Sequence, residues 1–179
     1  MKALFLFALL LLPLLTYAGE NPAGRTRTGD VGDALEIAMP VAALTATLWQ
    51  KDYEGSKQFG MGLAATLAAT HALKAVISKE RPDGRDDESF PSAHTAITMH
   101  TASFVHRRYG IRYAWPGYVL AAFVGHSRVH DERHDEQDVI VGAALGFLAG
   151  RYLTTEYRDV QIAPVLGADM VGISLSYRH

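Results

Sequence analysis

The sequence of 179 residues predicts an all-α protein, a bundle of five to six helices followed by a short C-terminal β-hairpin. Three observations support this prediction. Small and apolar residues form segments that run too long and too unbroken for strands. Charged loops that contain Pro or Gly separate these segments. Only the C-terminal tail alternates between apolar and polar residues, as paired strands do.

The composition restricts the class of protein. An apolar fraction of 49% with a net charge of −2 excludes a disordered chain. The 17 basic residues are balanced by 19 acidic ones, which argues against a nucleic-acid partner. The absence of cysteine excludes a disulfide scaffold, cysteine-bound zinc, an iron–sulfur cluster and thiol catalysis. The eight histidines are therefore the main candidates for chemistry, and they cluster.

Residues 1–18 are typical of an export signal. Lys2 precedes an apolar run from Ala3 to Leu15, and small residues precede a cleavage point after Ala18. Cleavage would leave residues 19–179 as a single domain. An uncleaved anchor is the alternative, although a run of about 13 residues is short for a span. Either way, the chain is directed to or across a membrane.

The remaining elements follow from the apolar segments and their interruptions. A polar stretch runs from Gly19 to Asp33, and helix-ending signals occur at 51–55, 81–84 and 107–110. Alternation at 160–162 and 171–177 predicts the hairpin. The predicted helices cover about 34–50, 58–78, 93–108, 113–127 and 135–154.

A membrane-embedded bundle is favoured over a soluble one. The apolar helix centres of about 15–20 residues lie between the lengths of buried helices and of spans. Glu36 and His71 interrupt two of them. Gly142, Gly146 and Gly150, at four-residue spacing, would let a neighbouring helix approach closely in lipid. The same glycines would also suit tight packing in a soluble bundle.

Two polar blocks lie between the second and third predicted helices. Lys74 and Arg81 are two helical turns apart, so both cations could bind one anion, although basic residues at a helix C-terminus also suit the macrodipole. Ser92 follows a proline and suits an N-cap, and the free amides after it, including that of Ala93, would form an anion site. His94 would lie beside that anion, or be only a capping or surface histidine.

The third block, Ser127 to Asp138, is the densest. On a helix, Asp138 would lie one turn from His134 and hold one imidazole nitrogen, which leaves the other as a nucleophile or base. The helix dipole alone would explain the acidic residues Asp135 and Glu136, but not Arg128 and His134. We expect Arg128 to lie beyond the apolar run and to contribute little area to the core.

The three blocks resemble the type 2 phosphatidic acid phosphatase (PAP2) superfamily, which is related to bacterial class A acid phosphatases and vanadium haloperoxidases. The family pattern is matched in order by Lys74-x6-Arg81-Pro82, Pro91-Ser92-Ala93-His94 and Ser127-Arg128-x5-His134-x3-Asp138. Two departures stand out. Ala93 replaces the usual glycine, and the eight residues between Pro82 and Pro91 form a shorter loop than is usual.

The resemblance implies a metal-independent phosphatase without a cofactor. His134, oriented by Asp138, would attack phosphorus and form a phosphohistidine, and His94 would protonate the leaving alkoxide. The phosphoryl oxygens would be bound by the remaining block residues. These are Lys74, Arg81, Ser92, the Ala93 amide and Arg128.

Two other functions stay open. His130 and His134 at i and i+4, with Asp131, Asp135 and Asp138 nearby, could ligate zinc or manganese in a metallohydrolase or a metal-binding module. The bundle could also bind phosphate or lipid headgroups without turnover. In the phosphatase hypothesis, His130 has no role.

The helix order predicts that all three blocks meet on one face. With an exported N-terminus, this face is the periplasmic side of a bacterial inner membrane, and the turn with Arg107, Arg108 and Arg112 lies inside. In a soluble periplasmic bundle with the same helix order, the three blocks would also meet at one end. The resemblance implies a phosphorylated lipid or a small phosphomonoester as the substrate. No residue selects among phosphatidic acid, phosphatidylglycerophosphate, undecaprenyl pyrophosphate and lipid A phosphates, and the oligomeric state is not indicated.

Overall fold

A computed structural model describes residues 26–157 and the backbone of 159–167 and 170–178. The predicted signal segment, residues 1–18, and its cleavage point lie outside the described residues. The helical bundle is confirmed, with five helices in the described part of the chain. They are α1 (Arg27–Trp49), α2 (Tyr53–Val76), α3 (Ala93–Tyr109), α4 (Ile111–His130) and α5 (Glu136–Tyr152). Strands β1 (Asp159–Gly167) and β2 (Met170–Arg178) then pair antiparallel, in the segment whose alternation predicts a hairpin.

Helix α1 begins at Arg27, well before the predicted start near residue 34. The side chain of Thr26 caps it by accepting a hydrogen bond from the Gly29 amide at 3.1 Å. Two glycines in this first part of α1 lie against α4, where a Cβ at Gly32 would be 2.2 Å from Ser127 Oγ. Close packing against α4 requires glycine at these positions. The polar stretch is therefore helical despite its glycines, because the contact with α4 supports it.

Helices α3 and α5 approach each other along the glycine stripe of α5. A Cβ at Gly142 would lie 2.3 Å from the Ser92 carbonyl oxygen, and one at Gly146 would lie 2.0 Å from the Ala96 carbonyl oxygen. At Gly150, the corresponding distance to Ser103 Cβ would be 2.7 Å. The stripe thus brings two helix backbones into contact, as its four-residue spacing predicts. Helix α3 also packs against α1, α2 and α4 and is the centre of the bundle.

The interior of the bundle combines a small apolar core around Phe59 and Phe104 with many buried polar side chains, and its outer faces carry large apolar side chains. Its buried threonines donate their hydroxyl hydrogens to carbonyls of their own helix, as Thr66 does to Gly62 and Thr70 to Thr66, both at 2.8 Å. Large apolar side chains instead face outwards on α1, α4 and α5. These include Ile37, Val41, Leu48, Val119, Ile140, Phe147 and Leu148. By length and composition, α1 and α2 could each cross a membrane. The large apolar side chains on the outer faces favour lipid around the helices.

Candidate active site

A pocket of about 220 Å³ opens at one end of the bundle. The end of α2, the start of α3 and the end of α4 form it together with the α2–α3 and α4–α5 loops. Six of the eight predicted site residues line this pocket, whereas Ser92 and Asp138 lie behind it. The lining residues are Lys74, Arg81, Asp83, Arg85, Asp86, Ala93, His94, Arg128, Arg133 and His134. Five of these side chains are basic, so the pocket suits an anion.

His134 is the buried imidazole of the pocket, with only 3% of its surface exposed. Its Nε2 atom lies 3.3 Å from Nη1 of Arg81. Burial lowers the pKa of His134 to about 4, and the positive charges of Arg81 and Lys74 act in the same direction. The imidazole is therefore neutral at neutral pH, with a lone pair available for attack on an electrophile.

Asp138 does not hold His134 in the way that the spacing predicts. His134 precedes α5, whose N-cap is Asp135, so the two residues are not one turn apart on a helix. His134 Nδ1 lies 3.7 Å from Asp138 Oδ2 and has no hydrogen-bond partner. At this separation, the predicted orienting hydrogen bond is absent.

Asp138 is bonded to other groups instead. Lys79 Nζ donates to Oδ1 at 2.6 Å, and the Ser89 hydroxyl and the Asp135 amide donate to Oδ2. Lys79 also pairs with Asp135 at 2.9 Å. The sequence-based prediction missed Lys79 and Ser89, because their partners are about fifty or more residues away along the chain. A lone lysine and serine in a loop give no signal of such contacts.

Two predicted phosphate ligands are positioned by the α2–α3 loop. Lys74 Nζ donates to the Glu88 carbonyl oxygen. Arg81 Nε pairs with Asp86 Oδ1 at 2.6 Å, and its Nη1 reaches the Arg133 carbonyl oxygen at 3.3 Å. The Arg81 guanidinium lowers the pKa of Asp86 by hydrogen bonding, so this carboxylate stays ionised beside the pocket. The loop thus orients the cations that the first block contributes.

Arg128 is completely buried, so the expectation that it contributes little to the core is wrong. Helix α4 continues past the predicted end to His130 and carries Arg128 inside the bundle. The Nη1 atom donates to Asp33 Oδ1 at 2.5 Å, Nη2 donates to the Gly29 carbonyl at 2.8 Å, and Nε donates to Ser127 Oγ at 3.1 Å. Arg128 therefore contributes to the fold as well as lining the pocket.

The second block forms the start of α3. Ser92 is the N-cap, as predicted, and its hydroxyl oxygen accepts from the Thr95 amide at 3.5 Å. The Ser92 amide donates to the Asp138 carbonyl oxygen at 3.0 Å, which joins the second block to the third. Because the Ser92 side chain is buried behind the pocket, its contribution is to cap and anchor α3, while Ala93 and His94 face the cavity.

His94 contacts two carboxylates from α1. Its Nε2 atom lies 2.8 Å from Glu36 Oε2 and 3.3 Å from Asp33 Oδ1. Burial lowers the pKa of His94, but hydrogen bonds to Asp33 and Glu36 outweigh it and raise the pKa above the ordinary value. The sequence-based prediction assigned neither carboxylate to the site. Their spacing of three residues within an apolar helix is the signal that could have identified them.

His130, by contrast, does not line the pocket. Its side chain is 48% exposed, and its Nδ1 lies 3.3 Å from Asp131 Oδ1. The metal-binding hypothesis requires His130 and His134 to share one face of a helix. Helix α4 ends at His130, so they do not. Within residues 26–157, no three His, Asp or Glu side chains are arranged to hold a metal ion.

Comparisons with known proteins identify the family. A model of the PAP2 superfamily matches residues 56–161, more than half of the chain. The chain belongs to the PAP2 superfamily. Its matched region contains all three blocks and excludes α1, which provides Asp33 and Glu36.

Two PAP2 relatives extend this result. The lipid A 1-phosphatase of Porphyromonas gingivalis is 40% identical over 93 residues, which are 50% of this chain and 21% of that protein. The chain therefore spans about a fifth of the length of this curated relative. The crystal structure of Aquifex aeolicus LpxE is similar with a TM-score of 0.53 and 18% identity, covering 84% of this chain and 93% of that one. At this identity, the likeness supports the fold alone.

Proposed function

We propose that this PAP2 protein is a metal-independent phosphatase that hydrolyses the phosphomonoester or pyrophosphate group of a membrane lipid through a phosphohistidine on His134. One observation carries the proposal. A buried, neutral imidazole lies in a pocket lined by five basic side chains, with a second, charge-stabilised imidazole beside it. This arrangement combines a nucleophile, an acid and an anion site in one cavity.

In the first step, His134 Nε2 attacks phosphorus, and the nitrogen–phosphorus bond forms as the bond to the leaving alkoxide breaks. His94 transfers its proton to the departing oxygen, so the alcohol leaves neutral. In the second step, a water oxygen attacks the phosphohistidine and the nitrogen–phosphorus bond breaks. His94 then accepts the proton from that water, which restores both histidines and releases phosphate.

The basic side chains stabilise the charge that develops on the phosphoryl oxygens. Lys74, Arg81 and Arg128 line the pocket from three different elements, and the Ala93 amide lies at the N-terminus of α3. Donors held in place before the reaction need not reorganise during it, which is the largest contribution in many enzymes. Three cations around one phosphoryl group supply the neutralisation that a metal ion provides elsewhere. No metal ion is therefore required for this reaction.

A lipid substrate is supported by the surface of the bundle and by the activity of a relative. Outward apolar side chains on α1, α4 and α5 provide a surface that would contact lipid beside the helices of the pocket. The relative from Porphyromonas gingivalis is a lipid A 1-phosphatase, so lipid A phosphates belong in any substrate panel. Phosphatidic acid, phosphatidylglycerophosphate and undecaprenyl pyrophosphate complete the panel of lipids, and a soluble phosphomonoester is the comparison.

The orientation that we propose places the pocket on the periplasmic face of a bacterial inner membrane. Exposed aromatic side chains surround the opposite end of the bundle, as at a membrane interface. These are Trp49, Tyr53, Tyr113, Trp115 and Tyr152. Apart from the five basic side chains that line the pocket, most Lys and Arg residues of the described chain lie at this same end, among them Lys51, Lys57, Arg107, Arg112 and Arg151, which suits the cytoplasmic side.

Phosphate release from the lipid panel, measured with full-length protein in mixed micelles, tests the function. We expect turnover that persists in excess chelator and is inhibited by vanadate. His134→Ala should abolish both turnover and an acid-labile, alkali-stable phosphoenzyme trapped with labelled substrate. His130→Ala is the matched control and should retain most of the activity, since that side chain lies outside the pocket.

The alternatives give different results in the same assay. Loss of turnover in chelator, with recovery on adding zinc or manganese, would support a metallohydrolase. Binding of phosphate or lipid without release of product would support a bundle that only binds. Loss of activity in His130→Ala rather than in His134→Ala would show that a different histidine is the nucleophile.

A further inference from the structure

Helix α1 provides two carboxylates to the site although it lies outside the region matched by the PAP2 model. Asp33 and Glu36 are one helical turn apart and both face His94. Asp33 also accepts from Arg128, so it links the histidine to the arginine. All three side chains of the acidic contact, Asp33, Glu36 and His94, are partly exposed at the pocket end, which means that they border solvent there.

The contact with Glu36 is specific to one ring nitrogen. Glu36 Oε2 lies 2.8 Å from Nε2 of His94, and Asp33 Oδ1 approaches the same atom at 3.3 Å. A carboxylate accepts a hydrogen bond and cannot donate one, so Nε2 must carry a hydrogen in both the charged and the neutral imidazole. The other nitrogen, Nδ1, is then the one that exchanges a proton.

We propose that α1 completes the active site, with Glu36 as a positioning residue that holds the hydrogen on His94 Nε2 and so leaves Nδ1 to donate and accept the transferred proton. This inference rests on the proposed phosphatase function. Before the first step, His94 carries hydrogens on both nitrogens. It gives the Nδ1 proton to the leaving alkoxide, and the neutral ring then has a lone pair on Nδ1 that accepts the proton of the attacking water.

The carboxylates are needed because a buried positive charge, that of Arg128, also acts on His94. Arg128 from α4, which lines the same pocket, disfavours the charged imidazole. Without Asp33 and Glu36, His94 would lose its proton at a lower pH. The groups facing the pocket around His94 are Asp33 and Glu36 from α1, Lys74 from α2, Arg128 from α4, and Arg81, Asp83, Arg85, Asp86, Arg133 and His134 from the loops.

The first test compares pH profiles of two substrates in micelles. For an alkyl phosphate, Glu36→Gln should move the alkaline limb of kcat/KM down by about one pH unit, since a nearby opposite charge is worth at least this much. At pH values above the alkaline limbs of both proteins, kcat/KM of the Glu36→Gln variant should then be about tenfold lower than that of the wild-type protein. Hydrolysis of p-nitrophenyl phosphate should change less than about threefold, because its leaving group needs little protonation.

Two further variants control for charge and for size. Glu54→Gln removes the same charge at the opposite end of the bundle and should change neither profile. Glu36→Asp keeps the charge but shortens the reach, so it should retain the wild-type limb position with a lower rate. Equal losses on both substrates with an unmoved limb in Glu36→Gln would overturn the proposal.

Nitrogen-15 spectra of the histidines provide a measurement that does not depend on turnover. With His94 identified by the signal missing in His94→Gln, the neutral ring should be the Nε2–H form, and its titration should occur above the ordinary histidine pKa. A neutral Nδ1–H form, or a titration at or below the ordinary value, would overturn the proposal even if Glu36→Gln fails to fold. If the wild-type protein releases no phosphate, the proposed function fails, and this spectrum alone decides the role of Glu36.

Discussion

Two buried arginines lie at opposite ends of the bundle, and each is paired with an aspartate. Arg128 of α4 bonds to Asp33 at the pocket end, and Arg108 of α3 bonds to Asp52 at the other end. The Asp33 side chain is 29% exposed and borders the pocket, whereas that of Asp52 is 3% exposed. The same pair of residue types is thus open to a ligand at one end and sealed at the other.

Arg108 forms a cluster with Asp52, Thr155, Glu156 and Tyr157, which we call the Arg108 cluster. Every nitrogen of the Arg108 guanidinium donates to a group within this cluster. Asp52 accepts from both Nε and Nη2 of Arg108, and the remaining nitrogen, Nη1, donates to the backbone carbonyls of Thr155 and Glu156 at 3.1 Å. The guanidinium carbon also lies 5.3 Å from the centroid of the Tyr157 ring. This cluster ties α3 to the α1–α2 turn and to the segment after α5. Both arginines are buried and paired within the protein, so the exposure of the partner carboxylate, 29% for Asp33 and 3% for Asp52, is what distinguishes the pocket end from the sealed end.

Arg108→Met should have the largest effect on stability. Breaking a buried ion pair leaves Asp52 without its partner and typically costs about 3–5 kcal/mol of unfolding free energy. Unfolding in detergent should show this loss, while kcat/KM per folded molecule stays within about twofold. Replacing both partners, as Arg108→Met with Asp52→Leu, should recover much of the stability. A kinetic loss without a change in unfolding would erase the distinction between the two arginines.

Arg128→Lys should have the next largest effect, and on a different quantity. A lysine cannot present two parallel donors, so the transition state should lose about 2–4 kcal/mol of stabilisation. This loss corresponds to a fall in kcat/KM of about 30- to 1,000-fold. Because Arg128 is fully buried, the melting temperature should fall as well. Both quantities are measured on the same preparation. Normal kcat/KM with a lower melting temperature would mean that Arg128 is structural, like Arg108.

Lys79→Met should change the pH dependence more than the rate. Lys79 neutralises Asp138, and without it the carboxylate would act more strongly on His134, raising the pKa of the imidazole above its value of about 4. Since only the neutral imidazole attacks, the acidic limb of kcat/KM should move to higher pH, by about half a unit or more. Lys57→Met, at the far end, is the control. A limb that moves to lower pH would contradict this coupling.

Arg107→Gln should have the smallest effect. Arg107 pairs with Glu156 next to the Arg108 cluster, but both side chains are substantially exposed. Exposed ion pairs contribute about 0–1 kcal/mol. We therefore expect nearly unchanged unfolding and kinetics. A large destabilisation here would mean that the arginines at this end contribute through charge alone, whether buried or not.

The fold was more predictable at the helix centres than at the helix ends. Apolar runs locate all five helices of residues 26–157, because sustained helical segments carry a strong signal. The start of α1 was missed because Gly29 and Gly32 look unfavourable for a helix until α4 lies against them. The end of α4 was missed because the polar residues Ser127 and Arg128 look like a loop until Asp33 and Gly29 bind them.

The candidate site divides in the same way. The three blocks contain local spacings, so Lys74, Arg81, His94, Arg128 and His134 could be identified before their pocket was known. Their partners could not, because the contacts of Glu36 with His94 and of Lys79 with Asp138 cross more than fifty residues of chain. The orientation of His134 was also wrong in detail, since the helix begins after it and not at it.

The contact between α3 and α5 also determines the spacing of the reacting groups. His94 lies in the first turn of α3, and His134 directly precedes α5. Because the two backbones touch at Gly146, a single added methyl group there would have to push the helices apart. A displacement of about 1 Å between reacting groups can reduce a rate about a hundredfold. The glycines in the middle of the bundle therefore set the distance between His94 and His134. A substitution at one of them, although far from the phosphate, would first reduce the rate of the chemical step.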